Sequence, residues 1–291
     1  MRVVLTGASG QLGPYVACRL MASGHDVSAW SGTSVGTCEG LSLRAIELTD
    51  AGATDRALEE VDPDAVIHLA ALSTADGVRR DPERGRAVNV GAAARLAEWC
   101  ARRGRRILST STDLVFDGTR PWSREDDSAR PVLAYGRTKH EGESAVLAVP
   151  GGLVARVSLL FGPSRSGRPT YLDRTVAALK RGEPQTFFED EYRTPLDLAT
   201  AADALVRLLE SGATGLVHVG GRERLSRFEL ARRVAVALGL DAGLVRANRQ
   251  GDVPSAEPRP ADVSLDTARL AALLPDLDRP TAERAAARLW G

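Results

Sequence analysis

Tyr135 is followed four residues later by Lys139, in the run Tyr135-Gly136-Arg137-Thr138-Lys139. On a helix, residues at i and i+4 share a face, so the phenol and the ammonium would stand side by side. The chain uses Lys almost nowhere: of its 38 Lys and Arg, only Lys139 and Lys180 are Lys, and Tyr135 is one of only four Tyr. A fixed ammonium beside a phenol favours the tyrosinate and lowers a pKa that starts near ~10. Lys suits that task as a compact charge with three rotatable donors, whereas the planar fork of Arg does not. The pair therefore reads as a general acid built from a phenol whose pKa is held low. A solvent-facing pair with no chemical role has the same spacing, and these two residues alone do not separate the readings.

A second cluster stands at the other end of the chain. Gly7-Ala8-Ser9-Gly10-Gln11-Leu12-Gly13 follows a strand-like run, Arg2 to Thr6, and opens a helical one, Gln11 to Ser23. Gly7 and Gly10 let the backbone turn tightly and approach a pyrophosphate, which would lie on the helix N-terminus, and Gly13 permits close packing of helix on strand. Pro14 fits a first helical turn. Ser9, Gln11 and Leu12 complete the loop, so the whole run is expected to bind a dinucleotide. An acid gripping the ribose 2′-hydroxyl is expected about 20 residues on. That strand end reads Trp30-Ser31-Gly32-Thr33-Ser34, with Ser31 where the acid would stand. Missing carboxylate and available hydroxyls favour NADP(H) over NAD(H), although no Arg occupies the usual place for a 2′-phosphate.

Positioning such groups needs a parallel sheet, and the chain alternates short apolar runs with helical ones. Strands are expected at Asp26–Trp30, Leu43–Leu48 (weak), Ala65–Ala70, Arg106–Ser111 and Leu153–Ser158. Helices are expected at Thr54–Val61, Glu83–Arg103 (long) and Tyr135–Ala148. Apolar strands without alternation, separated by helices, indicate an α/β, Rossmann-like doubly wound parallel sheet. Residues 1–160 would form this dinucleotide-binding domain. Residues 161–291 would form mainly a smaller C-terminal substrate lobe, with helices at Tyr171–Lys180, Leu198–Glu210 and Ser226–Leu238 and a strand, Leu216–Val219, returning to the main sheet. Gly162 to Pro169 and Gln250 to Pro260 read as loops.

Composition excludes several classes. Acidic and basic residues balance at 38 each, leaving no electrostatic footprint for nucleic acid or an anionic membrane. The run Arg102, Arg103, Arg105, Arg106 ends a helical pattern, where cations complement the helix dipole. Three scattered Cys form no disulfide framework, and four His without ligand spacing argue against zinc, so no metal is expected. No apolar run approaches membrane-spanning length, and Met1 leads straight into a strand without the pattern of a signal peptide. A cytoplasmic protein, compatible with a homodimer, is the expectation.

Together these segments resemble the extended short-chain dehydrogenase/reductase family, closest to its dTDP-4-dehydrorhamnose reductase branch. Thr6 to Gly13 resembles the cofactor fingerprint, and His68-Leu69-Ala70-Ala71 the strand end bordering the cofactor. Asn89-Val90 matches a position on the long helix. Ser109 to Gly118 resembles the segment bearing the catalytic hydroxyl, Tyr135 to Glu143 the catalytic helix, and Arg193-Thr194-Pro195 part of the substrate lobe. The resemblance implies that Leu69, Ala70, Ala71 and Asn89 contact the cofactor. Tyr135 would donate a proton to a carbonyl oxygen as hydride arrives, Lys139 would hold the nicotinamide ribose, and Thr112 would hydrogen-bond the same oxygen. Ser111 is adjacent, but the two point to opposite strand faces and only one can serve; register with Val115-Phe116 favours Thr112.

Members of this branch reduce the 4-keto group of a deoxy sugar on a nucleoside diphosphate, which implies a nucleotide-sugar substrate. Asp113, Trp122 and Arg193 are the candidate substrate contacts, with Arg193 suited to a diphosphate fork. Phe187 and Phe188 are candidates for a base pocket or for core packing, and the acidic Glu189-Asp190-Glu191 would oppose a diphosphate unless its side chains turn away. Dehydratases of the wider family carry Thr-Asp-Glu at the hydroxyl position; Leu114 here cannot transfer protons, which disfavours dehydration. Epimerases hold NAD tightly, and the missing ribose-binding acid argues against that activity. A different class is a non-catalytic binding protein, since the methionine adenosyltransferase β subunit also looks like this branch.

Overall fold

The computed structural model describes residues 1–291. Seven strands form one sheet: β1 (Arg2–Thr6), β2 (Asp26–Ser31), β3 (Arg44–Ala45), β4 (Ala65–His68), β5 (Arg106–Thr112), β6 (Gly152–Val157) and β7 (Gly215–Val219). Their order is β7-β6-β5-β4-β1-β2-β3, and every neighbouring pair is parallel. The chain winds outward from β1 in one direction, through β2 to β3, and in the other from β4 to β7. The switch point between β1 and β4 opens a crevice at the strands' carboxyl ends. This is the doubly wound α/β sheet expected from the apolar runs.

Successive residues of β1 feed opposite layers. Val3 and Leu5 pack under α1 (Gly13–Ala22), α8 (Leu198–Glu210) and α10 (Ala268–Leu273). Val4 packs under α2 (Ala51–Val61), α5 (Ala92–Arg102) and α6 (Ala134–Leu147), where Leu58, Leu96 and Trp99 are fully buried. A further core joins α7 (Tyr171–Lys180), α9 (Arg227–Ala237) and α11 (Ala282–Trp290), around Leu172, Leu230, Val234 and Ala285. A two-stranded parallel pair, Gln185–Phe188 with Val245–Asn248, covers it. Thus the chain beyond Phe161 divides its packing: α8, β7 and α10 complete the main sheet, while α7, α9 and α11 form the second cluster. No helix is long and apolar enough to cross a membrane.

Two elements depart from expectation. The weak strand Leu43–Leu48 narrows to Arg44–Ala45, which pairs with Trp30 and Ser31, and the rest runs on as a wall of the crevice. The long helix expected over Glu83–Arg103 is broken. Pro82–Arg86 forms α4, capped by Asp81, Ala87–Gly91 is a single π turn, and Ala92–Arg102 is α5. Such a bulge re-aims one side chain, and here the π turn holds the buried Asn89 against α6. A short helix, α3 (Ala75–Arg80), precedes it.

Candidate active site

A cavity of about 700 Å³ lies at the sheet's switch point. Its floor is the glycine-rich loop. Gly10 closes a tight turn, its N–H donating to the Gly7 carbonyl at 2.8 Å. Gly7 has φ +70, and a Cβ there would lie 2.7 Å from the Ala70 nitrogen; at Gly13 a Cβ would lie 2.3 Å from the Ala8 carbonyl oxygen. Glycine is therefore required for the end of β1 to meet the chain leaving β4, and for α1 to meet the loop. Helix α1 starts at Leu12 with no side-chain cap and no acid in its first turn. Its free N–H groups and positive dipole end face the cavity, an arrangement that suits an anion. Ser9, Gln11 and Leu12 line the same wall.

The opposite wall comes from Leu69, Ala70 and Ala71 beyond β4, and Ser31 with Gly32, Thr33 and Ser34 lines the far end. Ser31 spends its hydroxyl on the Ser34 carbonyl at 2.5 Å, which shapes that turn. Asn89 does not reach the cavity. Its amide donates to Thr138 Oγ1 at 2.9 Å and to the Leu72 carbonyl at 3.2 Å, and its oxygen accepts from the Leu72 N–H at 2.9 Å. Asn89 thus pins α6 to the loop that forms the wall, and its expected direct contact with a cofactor is replaced by a positioning role.

Helix α6 brings the phenol and ammonium into the cavity. Its first N–H, on Ala134, is satisfied by Glu257 at 2.7 Å. A Cβ on Gly136 would lie 2.2 Å from the Leu114 carbonyl oxygen, and one on Gly142 2.3 Å from that of Asn89. These two glycines seat α6 directly on the turn after β5 and on the π turn. Thr112, Tyr135 and Lys139 consequently line one wall together. Below them Glu143 grips Arg156 of β6 with two hydrogen bonds of 2.8 Å in a buried pair. Burial works to raise the Glu143 carboxyl, but Arg156 and His140 outweigh it and hold it at about 2.

Of the two adjacent hydroxyls, Ser111 faces Glu143, helping to hold its carboxyl low. Thr112 is the one beside Tyr135, where it acts to lower the phenol's pKa. The net direction at Tyr135 nevertheless reverses the expectation. Burial first, and the negative Asp113 second, push its phenol above the usual range, and Thr112 only partly opposes them. Lys139 is itself depressed to about 8 by burial, with Glu143 working against that. Tyr135 is therefore a firmly protonated phenol beside an ammonium with a depressed pKa.

The expected substrate contacts fare unevenly. Asp113 and Arg193 line the cavity, but both are braced by protein. Asp113 accepts from Thr112 at 3.2 Å and Ser158 at 3.0 Å, and burial raises its pKa against the pull of Arg193. Arg193 contacts Glu191 at 3.0 Å and Asp113 at 3.5 Å and donates to the Tyr192 carbonyl, so its fork is committed to the scaffold. Trp122 is 43% exposed on a loop whose N–H donates to Ser264, outside the cavity wall. The acidic run is likewise absorbed: Glu189 pairs with Arg249, Asp190 accepts from the Gln250 N–H, and Glu191 holds Arg193 and Arg227. Phe187 packs edge-on against Tyr171, and Phe188 lies under Arg259, 4.9 Å from its guanidinium carbon.

Several cavity residues were not anticipated, among them Glu47, Leu48, Arg84, Arg168 and Arg227. Glu47 and Leu48 lie inside the run read as the weak strand Leu43–Leu48, and they reach the cavity because the observed strand ends at Ala45. Arg227 opens α9 behind a capping box formed by Ser226 and Glu229, a pattern visible in Ser226-x-x-Glu229. Nothing local marks Arg168.

Comparison with known proteins agrees with this geometry. The chain matches the family described as RmlD substrate binding domain over residues 1–288. It is 32% identical over 268 residues to the probable low-salt glycan biosynthesis reductase Agl14 of Haloferax volcanii, covering 89% of this chain and 88% of that one. It is 32% identical over 285 residues to dTDP-4-dehydrorhamnose reductase of Mycobacterium tuberculosis (94% and 88% covered). It is 30% identical over 280 residues to the β subunit of methionine adenosyltransferase 2 of Bos taurus (94% and 82% covered). Among solved structures, dTDP-4-dehydrorhamnose reductase of Bacillus anthracis in complex with NADP superposes with a TM-score of 0.87 at 22% identity, covering 99% of this chain and 98% of that one. The whole-length match, on a doubly wound sheet with this cavity at its switch point, places the chain in the RmlD substrate binding domain family.

Proposed function

We propose that the protein is an NAD(P)H-dependent reductase of the extended short-chain dehydrogenase/reductase type. Its substrate in this reading is the 4-keto group of a nucleoside-diphosphate deoxy sugar. One observation carries the reading: Thr112, Tyr135 and Lys139 converge on one wall of a cavity whose floor is an uncapped helix N-terminus behind a glycine-rich loop. The loop fits a dinucleotide, because its glycines leave backbone N–H groups at the surface and no acid stands in the first turn of α1. Relatives named as reductases, one of them a dTDP-4-dehydrorhamnose reductase, support the substrate class. The Ser31–Ser34 end, which carries no acid, supports NADPH over NADH, as does the NADP bound to the Bacillus anthracis protein.

When bound, the reduced nicotinamide supplies hydride. The chain supplies the rest. Thr112 turns its hydroxyl from Asp113 to the substrate carbonyl oxygen when substrate binds, and orients that oxygen toward Tyr135. The Tyr135 phenol, kept protonated by burial and by Asp113, gives its proton to that oxygen as negative charge develops on it. Lys139 holds the nicotinamide ribose and places positive charge beside the phenolate left behind. The fixed ion pair Glu143–Arg156 and the Asn89 amide keep α6 from shifting while this happens.

The similarity to the methionine adenosyltransferase β subunit supports a second reading, a non-catalytic NADP-binding partner protein. The intact Thr112, Tyr135 and Lys139 wall favours the enzyme. Mixing the protein with NADPH and a dTDP-4-keto-6-deoxy sugar decides between them. Loss of reduced-nicotinamide absorbance is the expected result, and normal NADPH binding with no turnover of any nucleotide keto sugar would leave the partner-protein reading standing.

A further inference from the structure

We propose that Arg168 is a ligand of the cofactor's pyrophosphate, carried to the glycine-rich loop from a segment 159 residues beyond Ser9 in sequence. The proposal rests on the dinucleotide reading of the cavity. Gly162–Pro169 leaves the pair of short strands Leu160–Phe161 and Leu196–Asp197 and runs across the start of α1 before α7 begins. Three contacts tie it there. Gln11 Nε2 donates to the Arg168 carbonyl at 2.8 Å, the Tyr15 hydroxyl donates to the Pro163 carbonyl at 2.7 Å, and the Arg165 guanidinium stands 4.6 Å from the centre of the Tyr15 ring. The segment is therefore held against the phosphate-binding end of the helix.

From this strap the exposed Arg168 guanidinium reaches the loop itself and donates to the Ser9 carbonyl. It lines the cavity beside Gly10 and Gly13. Other cavity guanidinium groups are occupied: Arg193 and Arg227 are both held by Glu191. Arg84, on α4, makes no hydrogen bond to the glycine-rich loop. No ion pair engages Arg168. A guanidinium offers five N–H donors in a fork that matches phosphate oxygens, and the Ser9 carbonyl uses one edge of it. An anion on the α1 N-terminus would thus meet backbone N–H groups from below and the fork from above. The strap would then couple cofactor binding to the residues that follow it in α7.

Titration of the full-length protein with NADPH by fluorescence tests this, with adenosine 2′-monophosphate, which carries no pyrophosphate, as the competing control. Arg168→Ala is expected to raise the Kd for NADPH about tenfold, the size of a charge-assisted hydrogen bond, and to leave the control unchanged. Arg168→Gln separates a ligand from a tether. Gln keeps a donor for Ser9 but no charge, so it should behave like Ala if the guanidinium grips phosphate. Arg168→Lys, which keeps charge without the fork, should fall between. An unchanged NADPH Kd in Arg168→Ala, full retention of affinity in Arg168→Gln, or equal weakening of NADPH and the control would each overturn the assignment. Failure of the wild-type protein to bind any dinucleotide would instead remove the reading on which the proposal stands.

Discussion

At the scale of single residues, the site separates what spacing shows from what surroundings decide. The Tyr135 and Lys139 pair is legible because it is local: four residues on a helix fix its geometry. The direction of the Tyr135 pKa is not, because burial and Asp113, 22 positions away in sequence, set it. Tyr135→Phe removes only the proton donor. We expect kcat to fall about 100- to 10,000-fold, the range of general acid catalysis, with the NADPH Kd kept. Retained turnover would mean that another group protonates the product. Lys139 yields a pH prediction with a definite sign. Its ammonium is depressed to about 8 and is faced by Glu143 on its own helix and by His68 on β4. Positive charge is therefore present below pH 8 and lost above it, so kcat/KM should fall as pH rises through about 8. Lys139→Arg, charged throughout, should lose that limb even at reduced activity; a limb that persists in it belongs to another group.

At the scale of elements, the catalytic wall depends on how closely α6 approaches its neighbours. Gly136 and Gly142 permit contacts that any Cβ would block, and the Glu143–Arg156 pair locks the helix to β6. Removing one member of a buried ion pair strands the other. Glu143→Ala should cost about 3–5 kcal/mol of stability in chemical denaturation, and a loss under about 1 kcal/mol would show that water or repacking rescues Arg156. The pair has an acid signature as well. Glu143 sits at about 2 in the folded protein, below the ~4.3 of an unperturbed Glu. Its contribution is thus complete above pH ~4.3 and lost as pH falls through about 2. Glu143→Gln should remove that component of acid unfolding. Regular helices and strands were readable from periodicity, as Tyr171–Lys180 and Leu198–Glu210 illustrate. The π turn at Ala87–Gly91 was not, because it sits where the chain packs against Gly142 on another helix, a contact that periodicity does not carry. The helix Ala282–Trp290 was not readable either, because its fully buried residues, Ala282, Ala285 and Ala286, include no large side chain to mark a core face.

At the scale of the whole molecule, segments that meet at the cavity lie far apart in the chain. The glycine-rich loop was legible because strand, loop and helix are contiguous. Arg168 and Arg227 were not, since only the fold brings them to it. A ligand bound across these segments stabilises the native state alone. NADPH at a hundredfold excess over its Kd should therefore add about 2.7 kcal/mol to unfolding, seen as a rise in Tm by calorimetry. Absence of any shift at saturating NADPH would contradict dinucleotide binding at this site.

The scarcity of Lys has a practical consequence. Besides the Met1 amine, the only primary amines are Lys180, exposed at the end of α7, and Lys139, buried in the cavity wall. A small acylating reagent at mildly alkaline pH would find Lys139 partly neutral and nucleophilic, and would reach it only through the cavity. Mass spectrometry would then resolve a constant label on Lys180 from a variable one on Lys139. The chain thus carries its own internal standard, and site occupancy can be counted without a spectroscopic cofactor or a coupled assay.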